Sequence, residues 1–355
     1  MPGLKEILKQ VAEEHRTLTR DEARSALHAI LTADADAAAD LAIAGLLTAM
    51  ATRGETVDEL TGFAEAMRAL SVPVPLTDEE RAALVDTCGT GGDGQGTFNI
   101  STGAALVAAA AGAKVAKHGN RGVTSRCGSA DVLEAMGVPV ALTPEQSASC
   151  LRATRFAFLY APALHPAMKR VQPIRRALGF RTVFNLAGPL TNPAGAPAQI
   201  MGVYSAEKLE VVAGAMAQLG VRFGRVMHAR NGIDELALSA TDTIVVHGPS
   251  DCATGYMHAQ LVDPEDAGLA HASLGHLAGG DTADANAGIL EAVLTGVERG
   301  PKRDVVLLNA AAALEAAGLA AELRDGVARS AEAIDSGAAG NLIRALREFG
   351  RSVAS

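Results

Sequence analysis

The stretch Asp86-Thr-Cys-Gly-Thr-Gly-Gly-Asp-Gly94 leads directly into Gln95-Gly-Thr-Phe-Asn-Ile-Ser-Thr102 and an alanine-rich run. A short apolar segment, Leu84–Thr87, precedes the glycines, so the pattern predicts a strand, a glycine loop and a helix start. Glycines let the backbone approach a ligand, and a helix start offers unpaired N–H groups at the positive end of its dipole. The stretch therefore indicates an α/β fold with a loop that binds phosphate or pyrophosphate. Taken alone, it fits an ordinary surface turn before a capped helix equally well.

The loop differs from the two best-known phosphate motifs. No Gly-Lys-Ser/Thr follows the glycines, which excludes a Walker loop. No Gly-x-Gly-x-x-Gly opens the helix cleanly, which argues against a dinucleotide-binding motif.

Basic residues follow the glycine loop. No acidic residue lies between positions 93 and 131, and the run Lys117-His-Gly-Asn-Arg121 leaves a second predicted strand, Lys114–Lys117. Ligands of open α/β sheets collect beyond the carboxyl ends of the strands, so this run should face the same anion as the loop. A second basic run at 169–181 contains Arg175, whose planar guanidinium could bind a carboxylate. Solvated surface charges would explain either run as well.

An acidic pair, Asp234 and Glu235, follows a third predicted strand, Arg225–His228. Mg²⁺ takes a few carboxylate oxygens, keeps water ligands and bridges to phosphate oxygens. Beside a phosphate site, the pair indicates a Mg²⁺ site. By itself it could be an ordinary acidic turn.

Composition excludes several classes of protein. The chain has 355 residues, so two to three domains are expected. A net charge of −9 argues against a general nucleic-acid or membrane-surface binder. The four cysteines lack metal-ligand spacing and are predicted to be free thiols. No signal-peptide pattern or membrane-length apolar run occurs, so we expect a soluble, cytoplasmic protein.

Periodicity predicts two domains. Residues 1–72 read as helices only, with a capping box at Thr19-Arg-Asp-Glu22, and Val72-Pro-Val-Pro75 reads as a linker. From residue 76 to 355, short apolar runs alternate with helical segments, which predicts a parallel sheet with crossover helices. The remaining predicted strands are Phe156–Tyr160, Gln199–Tyr204 and Thr243–Val246.

The motifs together resemble those of the anthranilate phosphoribosyltransferase family, in the family's order and over essentially the whole chain. The family implies transfer of the phosphoribosyl group from phosphoribosyl pyrophosphate to anthranilate, with Mg²⁺. It also implies an α/β fold of the nucleoside phosphorylase and phosphoribosyltransferase type. That fold has a small all-helical domain and a larger α/β domain with a mostly parallel central sheet and flanking helices. The motifs are Gly89–Gly94, Phe98–Thr102, Lys117–Arg121, Gly128–Glu134, Arg181–Asn185, Gly188–Pro193, Asp234–Glu235 and Asn309–Ala313.

The resemblance further implies a homodimer joined through the helical domain. It also implies that helices at about 166–182 rejoin the small domain, which makes the domain boundary discontinuous.

The resemblance assigns site residues by position. Mg²⁺ would be held by Ser101, Asp234 and Glu235, and anthranilate by Gly89, Asn120 and Arg175. Lys117 and Asn120 would position the substrates; no general base stands out, although His118 is a candidate. Phosphoribosyl pyrophosphate would be bound by Gly89, Gly92, Asp93, Thr97, Asn99, Ile100, Ser101, Thr102, Lys117, His118, Gly119, Asn120, Arg121, Gly122, Val123, Thr124, Ser125 and Ser129.

The chain departs from the family at a few positions. Asn231 stands where an Asp is common, which could lower the affinity for metal. Gly122 and Arg126-Cys127 also replace commoner residues.

Two rival functions are considered. One is a pyrimidine nucleoside phosphorylase of the same architecture, against which the long glycine loop, the 117–121 run and the acidic pair argue. The other is a nucleic-acid-binding relative without transferase activity, against which the negative net charge and the complete motifs argue.

Overall fold

A computed structural model of the chain describes residues 3–34, 36–122, 127–249 and 255–354. Its strands are β1 (Leu84–Asp86), β2 (Lys114–Gly119), β3 (Phe156–Tyr160), β4 (Ala198–Gly202), β5 (Phe223–Ala229), β6 (Thr241–His247) and β7 (Tyr256–Val262). Its helices are α1 (Leu4–Glu13), α2 (Arg20–Thr32), α3 (Ala37–Arg53), α4 (Val57–Ala69), α5 (Asp78–Ala82), α6 (Ile100–Ala110), α7 (Ser129–Ala135), α8 (Pro144–Thr154), α9 (Ala161–Leu164), α10 (Gln172–Leu178), α11 (Val183–Ala187), α12 (Leu209–Gln218), α13 (Ala283–Leu294), α14 (Pro301–Ala316), α15 (Leu323–Asp335) and α16 (Ala338–Ala354).

Within the described residues, seven strands form one sheet in the order β3-β2-β1-β4-β5-β6-β7. The first five of these are mutually parallel, as predicted, but β6 runs antiparallel to both β5 and β7. The prediction of a parallel sheet with crossover helices was therefore wrong for β6. A parallel return needs a crossover connection of a dozen or more residues, usually a helix, and residues 230–240 contain none. Strand β7 was not predicted.

Local sequence explains several helix starts. The Thr19 hydroxyl accepts a hydrogen bond from the backbone of Glu22, and the Glu22 carboxylate accepts one from the backbone of Thr19. The predicted capping box at α2 is thus confirmed. Helix α6 is apolar all round and almost wholly buried. At Gly103 a Cβ atom would lie 2.9 Å from Leu290, so the small residue lets α6 pack closely.

The first four helices do not build their core alone. Val171 and Ile174 of the α10 segment and Phe184 of α11 are buried in the same apolar cluster as α2, α3 and α4. The rings of Phe63 and Phe184 lie 6.0 Å apart, edge to face. The predicted division of the chain between residues 72 and 76 stays a prediction. In the described part of the chain, no helix is both long and apolar enough to cross a membrane.

Candidate active site

A cleft of about 920 Å³ lies beyond the carboxyl ends of β1, β2, β4 and β5. The glycine loop, the 117–121 run and the acidic pair, which the sequence places far apart, all line it. The predicted site residues on its wall are Gly89, Gly92, Asp93, Thr97, Asn99, Ile100, Ser101, Lys117, His118, Gly119, Asn120, Arg121, Gly122, Ser129, Arg175, Asp234 and Glu235. Thr102 is buried behind the wall, where its hydroxyl donates to Ser129 Oγ at 3.0 Å. Val123, Thr124 and Ser125 lie outside the described residues.

The glycine loop is anchored on the end of β4. Thr90 N donates to the carbonyl of Gly202 at 2.9 Å, and Tyr204 N donates to Thr90 Oγ1 at 3.0 Å. Gly91 and Gly92 adopt φ of 63° and 76°, which only glycine adopts without strain. The loop backbone is therefore held open towards the cleft.

Helix α6 begins at the wall of the cleft. Its N-cap residue, Asn99, makes no side-chain cap; instead the Asn99 amide donates to the carbonyl of Cys127 at 3.1 Å. One of the first N–H groups, on Ser101, donates to Glu235 Oε1 at 3.2 Å. The positive end of the helix dipole thus points at a group of polar and acidic side chains.

Lys117 carries a buried cation at the centre of the site. Its side chain is only 2% exposed, and Nζ donates to Thr87 O and Oγ1, each at 3.1 Å, and to Ser101 Oγ at 3.4 Å. These acceptors are neutral, and no carboxylate among the described residues forms an ion pair with Nζ. Because a buried charge is costly unless it is paired, this ammonium is suited to receive an anion.

Asp86 is a buried carboxylic acid close to Lys117. Burial raises the pKa of Asp86 to about 6, against the opposing effects of the Asn192 amide and Lys117. Asn192 Nδ2 donates to Asp86 Oδ2 and to the carbonyl of Ala116, both at 2.8 Å. Sequence reasoning missed Asn192, since its partner lies 106 positions away.

Three carboxylates, of Asp93, Asp234 and Glu235, crowd together opposite Lys117. Burial, followed by the charges of Glu235 and Asp93, holds the pKa of Asp234 well above its usual range. Burial likewise raises the pKa of Glu235 to about 7, although Lys117 opposes the shift. Asp234 N donates to Asp93 Oδ2 at 3.3 Å. Oxygen ligands that repel one another are suited to a divalent cation, so the residues predicted for Mg²⁺ fit it chemically.

Asn309 fixes the acidic loop and was also missed as a site residue. Its Nδ2 donates to the carbonyl of Leu236 at 2.8 Å, and its Oδ1 accepts from Leu236 N at 3.0 Å. An asparagine within the alanine-rich α14 was the available signal, since a buried polar side chain needs a partner.

Two buried histidines lie side by side at the 117–121 run, and one of them, His118, belongs to it. The rings of His118 and His165 are 5.1 Å apart. Burial, then the neighbouring His165 and Lys117, depresses the pKa of His118 well below its ordinary value, and burial lowers the pKa of His165 to about 4. Both imidazoles are therefore neutral at pH 7. A general-base role for His118 stays a prediction, and its low pKa makes it a weak base.

The arginines differ in what holds them. Arg121 forms ion pairs with Asp131 at 3.0 Å and Glu134 at 2.8 Å, so in this structure its guanidinium is neutralised by neighbours. Arg175 stacks over the ring of Phe184 at 5.3 Å, and burial lowers its pKa. No carboxylate of the described residues pairs with Arg175. Of the two, Arg175 is the one suited to a carboxylate ligand.

Comparisons with known proteins agree with this geometry. The chain matches the model described as "Glycosyl transferase family, a/b domain" over residues 81–340 and the model of that family's helical bundle domain over residues 5–71. Anthranilate phosphoribosyltransferase of Symbiobacterium thermophilum is 48% identical over 346 residues, which are 98% of this chain and 97% of that protein.

Solved structures resemble the whole chain. Anthranilate phosphoribosyltransferase from Thermus thermophilus superposes with a TM-score of 0.87 at 41% identity, covering 97% of this chain and 99% of that one. The Saccharomyces cerevisiae enzyme, in complex with phosphoribosyl pyrophosphate and Mg, gives 0.86 at 28% identity, covering 98% of each chain. The same yeast enzyme with 4-fluoroanthranilate gives 0.83 at 27% identity, again covering 98% of each.

Proposed function

We infer that this chain, which belongs to the anthranilate phosphoribosyltransferase family, transfers the 5-phosphoribosyl group of phosphoribosyl pyrophosphate to the amine of anthranilate. The products are N-(5-phosphoribosyl)anthranilate and pyrophosphate, in tryptophan biosynthesis. One observation carries the inference: the glycine loop, the buried Lys117 and the acidic group meet in a single cleft that Arg175 also lines.

The chain's own residues supply positioning and charge neutralisation. The reacting sugar carbon gains positive character while pyrophosphate leaves with negative charge. Lys117 and the N–H groups of the loop would stabilise the departing pyrophosphate. The aromatic amine of anthranilate is unprotonated at neutral pH, so the reaction does not need a strong base. The neutral, buried His118 is consistent with this.

Mg²⁺ would be held by Ser101, Asp234 and Glu235. When bound, the ion would neutralise pyrophosphate oxygens and lower the cost of charge on the leaving group. Asp93 lies beside these carboxylates. Its side chain accepts a hydrogen bond from the backbone N–H of Asp234 and would thereby orient that residue.

The Arg175→Ala variant should show a higher KM for anthranilate, by about 10-fold or more, with a much smaller change in KM for phosphoribosyl pyrophosphate. The expected reason is loss of a charge-assisted hydrogen bond to the anthranilate carboxylate. Steady-state kinetics with each substrate varied in turn measures both constants. Arg176→Ala, at the exposed neighbouring position, is the matched control and should leave both unchanged. Two unchanged KM values in Arg175→Ala would refute this role.

The double variant Asp234→Asn, Glu235→Gln should lose Mg²⁺-dependent turnover by about 100-fold or more, since neutral amides bind the ion weakly. Turnover is measured across a Mg²⁺ titration. A matched control is the exposed adjacent pair Asp78→Asn, Glu79→Gln, which should titrate like the parent protein. Full activity of the site variant at ordinary Mg²⁺ concentrations would remove the metal role.

The activity itself is tested by fluorescence. Anthranilate fluorescence should fall when phosphoribosyl pyrophosphate and Mg²⁺ are both present, and persist when either is omitted. A parallel assay for phosphate-dependent cleavage of pyrimidine nucleosides tests the rival function. Cleavage without loss of anthranilate fluorescence would replace the proposed function with that of a phosphorylase.

The assembly and location are also proposals. The chain is proposed to act in the cytoplasm as a homodimer joined through its helical domain. The side chain of Leu41, on α3 of that domain, is 75% exposed and would lie in the proposed contact. Light scattering coupled to size exclusion would give the mass, and Leu41→Lys should shift it towards the monomer. A monomeric parent protein would contradict the assembly.

A further inference from the structure

We propose that Asp86, Cys88 and His118 form a binding site for a soft divalent metal ion, typified by Zn²⁺, beneath the glycine loop. The site is distinct from the carboxylates Asp234 and Glu235, which suit Mg²⁺. One potential ligand atom from each of the three residues lies within 4.8 Å of the other two.

The spacing is compatible with a single ion. The centre of a triangle with edges of 4.8 Å lies about 2.8 Å from each corner, and Zn–ligand distances are about 2.0–2.3 Å. Side-chain movements of less than about 1 Å would therefore bring a sulfur, an imidazole nitrogen and a carboxylate oxygen into coordination. Three protein ligands would leave the fourth tetrahedral position open to water. The thiol of Cys88 would release its proton to solvent when the ion binds.

His118 provides the independent sign of a missing partner. Its side chain is only 4% exposed, and neither ring nitrogen has a hydrogen-bond partner among the described residues. A buried polar atom without a partner is costly, and most such atoms in native proteins are satisfied. The imidazole is neutral, because burial depresses the pKa of His118, and neutral imidazole is the form that binds metals.

The other two ligands are held in place by the fold. Asp86 accepts hydrogen bonds from the backbone N–H groups of Cys88 and His118, both at 3.1 Å, and from Asn192 at 2.8 Å. Gln199 Nε2 donates to the carbonyl of Cys88 at 3.1 Å. Such outer contacts orient metal ligands, so little of the chain would need to rearrange.

The choice of metal follows from the donor atoms. Thiolate and imidazole favour Zn²⁺ and other transition ions over Mg²⁺, which prefers oxygen. Cys88 and His118 both line the cleft, so an ion can reach them. An ion bound there would sit beside the glycine loop, and we expect Zn²⁺ to inhibit turnover even when Mg²⁺ is in excess.

The test is Co²⁺ binding to the full-length protein without substrates, which does not depend on the proposed activity. The parent protein should show a thiolate-to-cobalt charge-transfer band and visible bands of low-coordinate Co²⁺, both removed by added Zn²⁺. Cys88→Ser should lose the charge-transfer band. It should also weaken Co²⁺ binding by at least about 10-fold, because even changes to residues that only orient a ligand cost that much. Cys150→Ser, a buried thiol on α8, is the control and should keep both. A parent protein without the band, or a band that survives in Cys88→Ser, would overturn the proposal.

A second measurement guards against a variant that fails to fold. Zn²⁺ should protect Cys88 of the parent protein from alkylation, read by mass spectrometry of its peptides, while Cys127 is alkylated at the same rate with and without the ion. Equal alkylation of Cys88 in both conditions would overturn the proposal without any substitution.

Discussion

Replacing Gly202 with alanine is expected to lower kcat/KM by at least about 100-fold, the loss typical of displacing a site by about 1 Å. A Cβ atom at this position would lie 1.5 Å from the backbone oxygen of Asp234 and 2.4 Å from its carbonyl carbon. Because both are backbone atoms, no side chain can swing away to make room. The loop that carries the acidic pair must move instead.

The same substitution reaches the glycine loop. The carbonyl of Gly202 accepts a hydrogen bond from Thr90 N, and it lies 2.9 Å from where a Cβ atom on Gly89 would be. Movement of the end of β4 therefore displaces both the glycine loop and the proposed Mg²⁺ ligands Asp234 and Glu235. Overpacking of this kind costs about 1–3 kcal/mol, so the melting temperature should also fall.

The control is Gly288→Ala, at an exposed position inside α13 where nothing lies within 4 Å of the added atom. That variant should keep full activity. Its free energy of unfolding should rise by about 0.5–1 kcal/mol, because alanine favours the helix over glycine by that amount. Circular dichroism and steady-state kinetics on both proteins separate the effects. If Gly202→Ala retained parental kcat/KM, the close contact would not govern the site.

Replacing Lys117 with methionine is expected to lower kcat/KM by about 10²–10³-fold, the loss typical of removing one preorganised group that stabilises transition-state charge. Methionine fills a similar volume, so the loss would come from the missing ammonium. Lys117 also lowers the pKa values of Asp86 and Glu235, which should therefore both rise in the variant.

The rise in the pKa of Asp86 changes how the free energy of unfolding depends on pH. The folded pKa of Asp86, about 6, already exceeds its ordinary value of 3.8. The stability that protonated Asp86 contributes is fully present below pH 3.8, and it is lost as the pH rises through the folded pKa. A higher folded pKa in Lys117→Met strengthens this dependence. Its free energy of unfolding relative to the parent protein should decline as the pH rises above about 6, where Asp86 of the folded parent ionises while that of the variant stays protonated.

The matched control is Lys114→Met, at the exposed start of the same strand. It should leave kcat/KM and the pH dependence of unfolding unchanged. Activity of Lys117→Met within about threefold of the parent protein would refute the role of this cation. Denaturant unfolding at a series of pH values tests the second part separately.

Most of the strands that sequence predicted are buried on both faces, although β6 alternates buried and half-buried positions. Phe156–Tyr160 was predicted with its observed bounds because an uninterrupted apolar run needs burial on both sides. Strand β7 was missed because Tyr256 to Leu261 are all exposed and carry no alternating pattern. Its pairing with β6 is set by backbone geometry, on which composition says little. The antiparallel direction of β6 was missed for the same reason.

Sequence predicted the site residues that belong to short, continuous motifs. The glycine loop, Lys117 and the pair at 234–235 each stand out in a few residues of sequence. Asn192 does not, and Asn309 stands out only as a polar residue within an alanine-rich helix. Each acts through a partner 70 or more positions away, and only the fold reveals that partner. The metal-type cluster beneath the loop was likewise invisible, since Cys88 and His118 have no ligand spacing along the chain. The guanidinium of Arg121 was expected to face the anion, and its ion pairs with Asp131 and Glu134 could not be foreseen from spacing.

One apolar cluster is shared by α2, α3, α4 and the segment at 171–187. This has a consequence while the chain is synthesised on the ribosome. Leu27, Ile43 and Phe63 emerge at least about 100 residues before Val171 and Phe184, which pack in the same cluster. At about 5–20 residues per second, the nascent helices wait about 5–20 s with an incomplete core. Until then, this part of the newborn chain exposes apolar surface of the kind that chaperones bind.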